Sequence, residues 1–234
     1  MLEEAFRYPT TGEDALERLL IGGVLSILSV LVLPAFLVYG YLVRCVAAVA
    51  AGEEVPPAFD DWEGLFVDGL KAFVIGVAYA LVPFVLSLLV FVPFGVGAGT
   101  SGNGASGVLA GIGVLAFLVL AAVTLVVVYV FMAAITTFAV EGRLGAAFDV
   151  GAVGRLATSE PYVVAIVLAI VVQVVVGLVV TAAIVFTLGL ALRLLFPLGA
   201  FVQFWTYLVT VYLFGAAYRD AIGETTGEGT AVDA

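Results

Sequence analysis

The chain has 234 residues, 64% of them hydrophobic and only 11% charged, with a mean hydropathy of +1.28; a soluble domain is about half apolar and about a quarter charged, so that class is excluded. The net charge of −10 makes nucleic acid and anionic headgroups unsuitable partners, and the absence of His excludes Ser-His hydrolases, His-ligated zinc proteases and His-ligated haem. The single Cys45 excludes an intramolecular disulfide and a Cys-based zinc site.

Charge is confined to a few connectors. Between Lys71 and Glu141 lie 69 residues without Asp, Glu, Lys or Arg, and Glu160 to Arg193 encloses another 32. A helix needs about 20 apolar residues to cross the hydrocarbon core, and a central charge costs roughly 2.5–3.5 kcal/mol, so these gaps predict membrane-spanning helices. The fold class expected is all-α, a polytopic transmembrane helix bundle with five long apolar stretches plus interfacial amphipathic helices.

Residues 1–18 mix acids with Arg7 and Arg18 and read as an interfacial segment, with Thr11 or Gly12 before an amphipathic turn. A secretory signal would need a basic start and a short apolar core, so the first apolar stretch, Leu19–Ala51, is expected to be a retained anchor. Pro34 interrupts it and either kinks one crossing or turns it back as a re-entrant hairpin. Residues 52–64 form a connector with Pro56-Pro57 and Asp60-Asp61-Trp62, where Asp60 or Asp61 would cap the next helix. That helix begins amphipathically, with Leu65, Phe66, Leu70 and Phe73 on one side, and becomes fully apolar through Phe94.

Residues 95–107 are Gly-rich and uncharged, which predicts a flexible turn. They lack the Gly-Lys-Ser/Thr ending of a phosphate-cradling loop. Val108–Val140 is the next span, with a small-xxx-small spacing at Gly107 and Gly111. Residues 141–160 form a charged connector ending in a capping Ser159-Glu160-Pro161. Tyr162–Leu188 and Phe196–Tyr218 are the last two apolar stretches, with Arg193 between them at an interface. The domain division is therefore 1–18 interfacial, 19–220 transmembrane, and 221–234 a disordered acidic tail.

Basic residues stay cytoplasmic. With one kinked first crossing, Arg44, Lys71, Arg143, Arg155 and Arg219 share a side against Arg7, Arg18 and Arg193; with a hairpin the split is seven against one. Three charged preludes followed by apolar blocks, ending at Gly40 with Arg44, Gly142 with Arg143 and Gly215 with Arg219, suggest a loose threefold repeat of hairpins. Length argues for the single crossing, because residues 19–33 and 34–50 would reach only about 22 and 25 Å as helices. Either way the first connector, the third connector and the C-terminus are expected in the cytoplasm of a multi-pass cell-membrane protein.

No catalytic residue, cofactor or metal site is expected. A Mg²⁺ site from Asp60, Asp61 and Asp68 is outweighed by a solvated helix cap, since hard cations and helix ends both favour carboxylates. Gln173, Gln203, Thr206 and Thr210 are polar residues within apolar spans, and Gln203, Thr206 and Thr210 share one helix face. That stripe either lines a path or acts as interhelical hydrogen-bond glue, and glue is favoured because ion and proton paths usually recruit a charge.

Several segments resemble a known family: Phe6-Arg7-Tyr8-Pro9, Ile21-Gly22-Gly23, Gly40-Tyr41-Leu42-Val43-Arg44, Pro57-Ala58-Phe59-Asp60-Asp61-Trp62, Leu65 through Lys71, Tyr79 with Pro83, and Gly215 through Arg219. Over about residues 1–220 the chain resembles domain of unknown function 4013, an uncharacterised family of polytopic prokaryotic membrane proteins common in halophilic archaea. The resemblance implies membrane location and an all-helical fold and carries over no catalytic residue. Acid-rich, Lys-poor connectors also suit very salty cytoplasm, where screening shortens self-repulsion.

The leading expectation is a non-enzymatic accessory or membrane-organising protein. Besides the lipid bilayer it would engage a membrane or cytoplasmic protein partner, through Pro57, Phe59, Asp61, Trp62 and Asp68. The alternative is a small transporter or channel using the Gln203, Thr206 and Thr210 stripe. A lipid-modifying enzyme stands third.

Overall fold

The computed structural model describes residues 1–100, 106–186 and 192–230, and side chains for 1–92, 112–183 and 198–222. Eight α-helices follow in order: α1 (Leu2–Arg7), α2 (Ala15–Leu28), α3 (Leu33–Ala50), α4 (Trp62–Thr100), α5 (Ser106–Glu141), α6 (Val150–Thr158), α7 (Glu160–Phe186) and α8 (Leu192–Thr230). Short 3₁₀ turns cover Tyr8–Thr10, Ser29–Leu31 and Leu144–Phe148, and no strand occurs among the described residues. Among the described residues, five helices are long and apolar enough to cross a membrane: Leu33–Ala50, Trp62–Val92, Ile112–Glu141, Glu160–Ala183 and Leu198–Ile222.

The first apolar stretch is a hairpin. A 3₁₀ turn at Ser29–Leu31 leads to Val32 with φ +65°, the only positive-φ residue other than Gly among those described, and Pro34 then sits in the first turn of α3. That conformation is costly for a β-branched residue and reverses the chain. Gly22 on α2 and Tyr41 on α3 accordingly both meet Phe204 on α8. With 14 and 18 residues, the legs reach only about 21 and 27 Å, so the hairpin is shorter than its neighbours. The same prelude-and-hairpin arrangement recurs in α4–α5 and α7–α8, whose partners pack side by side.

Three expectations differ from the structure. Helix α4 continues through Gly95–Thr100 and α5 starts at Ser106, where composition suggested one turn over 95–107; residues 101–105 lie outside the described ones. Away from water, continued helix is what satisfies backbone amides, and this outweighs the low helix propensity of Gly. Helix α8 is described to Thr230, and residues 231–234 of the expected tail lie outside the described ones. Helix α2 starts after Asp14, not at Thr11 or Gly12. Ser159 donates back to the Leu156 carbonyl, 2.8 Å away, instead of capping α7. The Gly107 and Gly111 spacing and the side chain of Arg193 lie outside the described side chains.

The core sits at one end of the bundle, where α3 crosses α4 and runs beside α8. A Cβ on Gly40 would lie 1.8 Å from the Leu65 carbonyl oxygen, and one on Gly69 1.8 Å from that of Phe36. The two backbones therefore touch at this crossing, which only a residue without a side chain allows.

Candidate functional site

Charged and aromatic residues meet at this packed end and form a cap over the helices. Helix α1 and the turn after it lie against α8, with the Phe6 and Trp205 rings 5.3 Å apart and those of Tyr8 and Tyr212 5.1 Å apart. Gly12 approaches Val55 of the first connector, and Tyr218 near the end of α8 lies close to Glu141 and Arg155 of the third. The N-terminal segment, both connectors and the C-terminal part of α8 thus share one end, together with Arg7, Arg18, Arg44, Lys71, Arg143, Arg155 and Arg219.

The first connector is clamped to α3 and α4. Arg44 bonds Asp61 at 2.7 Å and Asp68 at 3.3 Å, and Lys71 bonds the other oxygen of Asp68 at 3.0 Å. Asp61 also caps α4, accepting from the Gly64 N–H at 3.0 Å, as the sequence suggested. The Arg44 guanidinium first, and then that N–H, hold its carboxyl below the usual carboxylate value. A Mg²⁺ ion at Asp61 and Asp68 would have to displace both cations. The Phe59 ring stacks on Tyr41 at 3.8 Å, and the Tyr41 hydroxyl donates to the Pro57 carbonyl at 3.0 Å.

Of the five residues singled out in this connector, Phe59 is buried, Pro57 and Asp68 are half-buried, and Asp61, although exposed, is held by Arg44. Trp62 is exposed at the rim, 6.0 Å from Phe59. The motif therefore folds the connector onto the bundle and leaves one large aromatic facing outward.

The third connector is fastened in the same manner. Tyr79 donates to the Ala147 carbonyl at 2.7 Å, Tyr129 donates to that of Ala157, and Tyr162 donates to that of Tyr129 at 2.7 Å. Asp149 caps α6 through the N–H groups of Gly151 and Ala152, and those bonds lower its pKa, with Ala152 contributing most. Sequence reasoning missed both the tyrosine staples and this cap. The signal for the cap was an acid two residues before a Gly at the start of an amphipathic segment.

A second cluster lies under residues 8–18. Arg18 is almost fully buried and donates to the Thr11 carbonyl, yet among the described residues it meets no carboxylate within ion-pair distance. The Tyr8 hydroxyl is buried close to Cys45, and burial pushes its phenol pKa up. Cys45 is fully buried, so it packs as a small apolar side chain.

The stripe on α8 turns inward on its own helix. Thr206 is buried and donates to the Val202 carbonyl at 2.7 Å, and Thr210 donates to that of Thr206 at 2.9 Å. Gln203 instead lines a niche of about 160 Å³ between α8 and the α2–α3 hairpin, shared with Ser26, Ser29, Tyr39 and Tyr207. Gln173 is exposed on α7. Among the described residues no group of three or more Asp, Glu, His or Cys is placed to hold a metal.

These features sit on a chain whose residues 25–186 match the model of the family described as "Protein of unknown function (DUF4013)". The chain belongs to the DUF4013 family. The matched segment runs from the α2 leg of the hairpin to the end of α7, and so includes the Arg44–Asp61–Asp68 clamp and the tyrosine staples. Phe6 through Pro9, Ile21 through Gly23 and Gly215 through Arg219, which also carried the resemblance, lie outside it. No curated protein and no solved structure matches the chain.

Proposed function

We propose that this DUF4013 protein is a non-enzymatic membrane accessory protein that presents its cap to a protein partner in the cytoplasm. The observation that carries the reading is the clamped first connector: Pro57, Phe59, Asp61 and Asp68 are fixed against α3 and α4, and this holds Trp62 outward on a rigid base. Exposed aromatics on rigid supports are favoured anchors for partners. Basic residues gathered at this end support its placement in the cytoplasm.

Affinity purification in mild detergent should recover a stoichiometric partner from the wild type and lose it with Trp62→Ala. Recovery unchanged by that substitution would remove the proposal. Labelling of Glu54→Cys by an impermeant thiol reagent on intact cells tests the orientation; efficient labelling from outside would reverse it. Exposed acids around the cap, including Glu13, Asp14, Glu53, Glu54, Asp60 and Glu63, support a salt-rich cytoplasm. Greater stability in dilute buffer than in molar salt would count against that assignment.

The transporter reading has one observation in its favour, the niche that Gln203 lines, since polar side chains within apolar spans mark functional sites. The rest of the stripe gives it little, because Thr206 and Thr210 bond their own helix.

A further inference from the structure

The niche beside Gln203 has features that the cap does not explain. It lies where the short hairpin leans on α8, lined by Ser26 from α2, Ser29 from the turn that follows it, Tyr39 from α3, and Gln203 and Tyr207 from α8. Tyr39 is five residues from Arg44 on α3, about 7 Å along the axis. The niche thus reaches from one to two turns past the charged clamp, at Tyr39, to the tip of the hairpin at Ser29 and Ala35.

Its lining is uncharged and mostly apolar, with Ala35, Val38 and Ala200 beside five oxygen-bearing side chains. Ser26 and Ser29 donate to the Gly22 and Leu25 carbonyls at 2.7 and 2.8 Å, so each presents only its lone pairs to the niche. Gln203 and Tyr207 lie one turn apart on α8, and the Gln203 amide carries both donors and an acceptor. No Asp, Glu, Lys or Arg lines the niche, so a charged occupant would be left uncompensated. The volume corresponds to about five waters at roughly 30 Å³ each, close to a three-carbon polyol moiety.

We propose that this niche seats the glycerol moiety of a membrane glycerolipid, whose uncharged oxygens pair with Gln203, Tyr39 and Tyr207 while its chains follow the outer face of the hairpin. Two exposures favour lipid over an aqueous solute as the source. Tyr39 and Tyr207 are 48% and 36% exposed at the niche mouth, and the outer face of α2 is an exposed apolar stripe of Leu16, Leu20, Val24 and Leu28. The stripe at i, i+4 spacing gives an acyl or alkyl chain a continuous track leading from the niche.

Titration calorimetry on the purified protein in detergent can use 1,2-dioctanoylglycerol, glycerol and an octane control. Dioctanoylglycerol should bind saturably at one per chain, about tenfold more weakly with Gln203→Leu and about threefold more weakly with Tyr39→Phe. Tyr39→Phe removes one exposed hydroxyl and keeps the test open should Gln203→Leu misfold. Saturable binding of glycerol alone, weakened by the same variants, would support the seat and assign its ligand to the aqueous phase. Octane binding as tightly as dioctanoylglycerol, the same affinity in all variants, or no saturable heat from either oxygen-bearing probe would overturn the proposal.

Discussion

Helices α5 and α8 are both long and apolar, yet they occupy opposite environments. The more apolar one, α5, has none of its best spanning window buried, whereas 61% of that of α8 is buried even though it carries Gln203, Thr206, Tyr207, Thr210 and Tyr212. In water the greasier helix would be the core. In lipid, apolar surface gains nothing by leaving the solvent, so close packing and hydrogen bonds select what becomes interior. The small and polar residues of α3 and α8 mark the centre of this protein, and the uninterrupted Val, Leu and Ile runs of α5 mark its lipid-facing edge.

The largest test of that contrast pairs two glycines. Gly40→Leu drives a side chain into the Leu65 carbonyl at the α3–α4 crossing and should prevent the bundle from assembling, well beyond the roughly 1–3 kcal/mol of ordinary overpacking. Gly177→Leu on α7 has nothing within 4 Å of its Cβ and should leave stability the same or slightly higher, by up to about 1 kcal/mol from helix propensity. Monodispersity and thermal unfolding in detergent read both. Equal damage at the two sites would refute the division into packed and lipid-facing helices.

Phe59→Ala comes next. It removes the buried ring stacked on Tyr41 and should cost about 3–5 kcal/mol, with the first connector becoming protease-sensitive while the α4–α5 pair stays intact.

How much of this was legible follows from the same physics. Charge-free runs such as Ala72–Val140 revealed the spans because the cost of a buried charge is written directly into composition. Pro34, the split of basic residues and the repeat suggested the hairpin while length pointed to a single crossing, and the choice stayed open because the decisive feature, Val32 at positive φ, has no residue signature. Asp61 was readable as a cap because capping is local, whereas its bond to Arg44 joins residues 17 apart across two elements. The staples of Tyr79 and Tyr129 were invisible for the same reason: an aromatic near a span end reads as a headgroup anchor until its carbonyl partner is known. Thr206 and Thr210 share a face as expected, yet their hydroxyls chose the nearest acceptor, the carbonyl one turn back.

Acid should separate cap from limbs. Asp61 and Asp149 both have folded-state pKa values below the ordinary 3.8. A carboxyl depressed on folding contributes stability that is complete above its unfolded pKa and is lost as pH falls through the folded one. Limited proteolysis should therefore show both connectors loosening progressively below about pH 4. The helicity of α5 should hold, since no ionisable Asp, Glu, Lys or Arg lies between Lys71 and Glu141. Loss of α5 helicity in step with the connectors would mean that the limbs depend on the cap.

The smallest effects discriminate most finely between hydrogen bonds that join helices and those that stay within one. The Tyr162 hydroxyl crosses from α7 to the Tyr129 carbonyl on α5, so Tyr162→Phe should cost about 1 kcal/mol in detergent. Thr206 is just as buried, but its hydroxyl bonds the Val202 carbonyl, which already accepts the Thr206 backbone N–H within α8. Thr206→Val keeps the shape, strands no buried donor or acceptor, and removes a back-bond that slightly opposes straight helix, so its effect should stay within about 0.5 kcal/mol of zero. A cost for Thr206→Val matching that of Tyr162→Phe would show its hydroxyl reaching a second helix, and the stripe would again be a candidate for joining or lining the bundle.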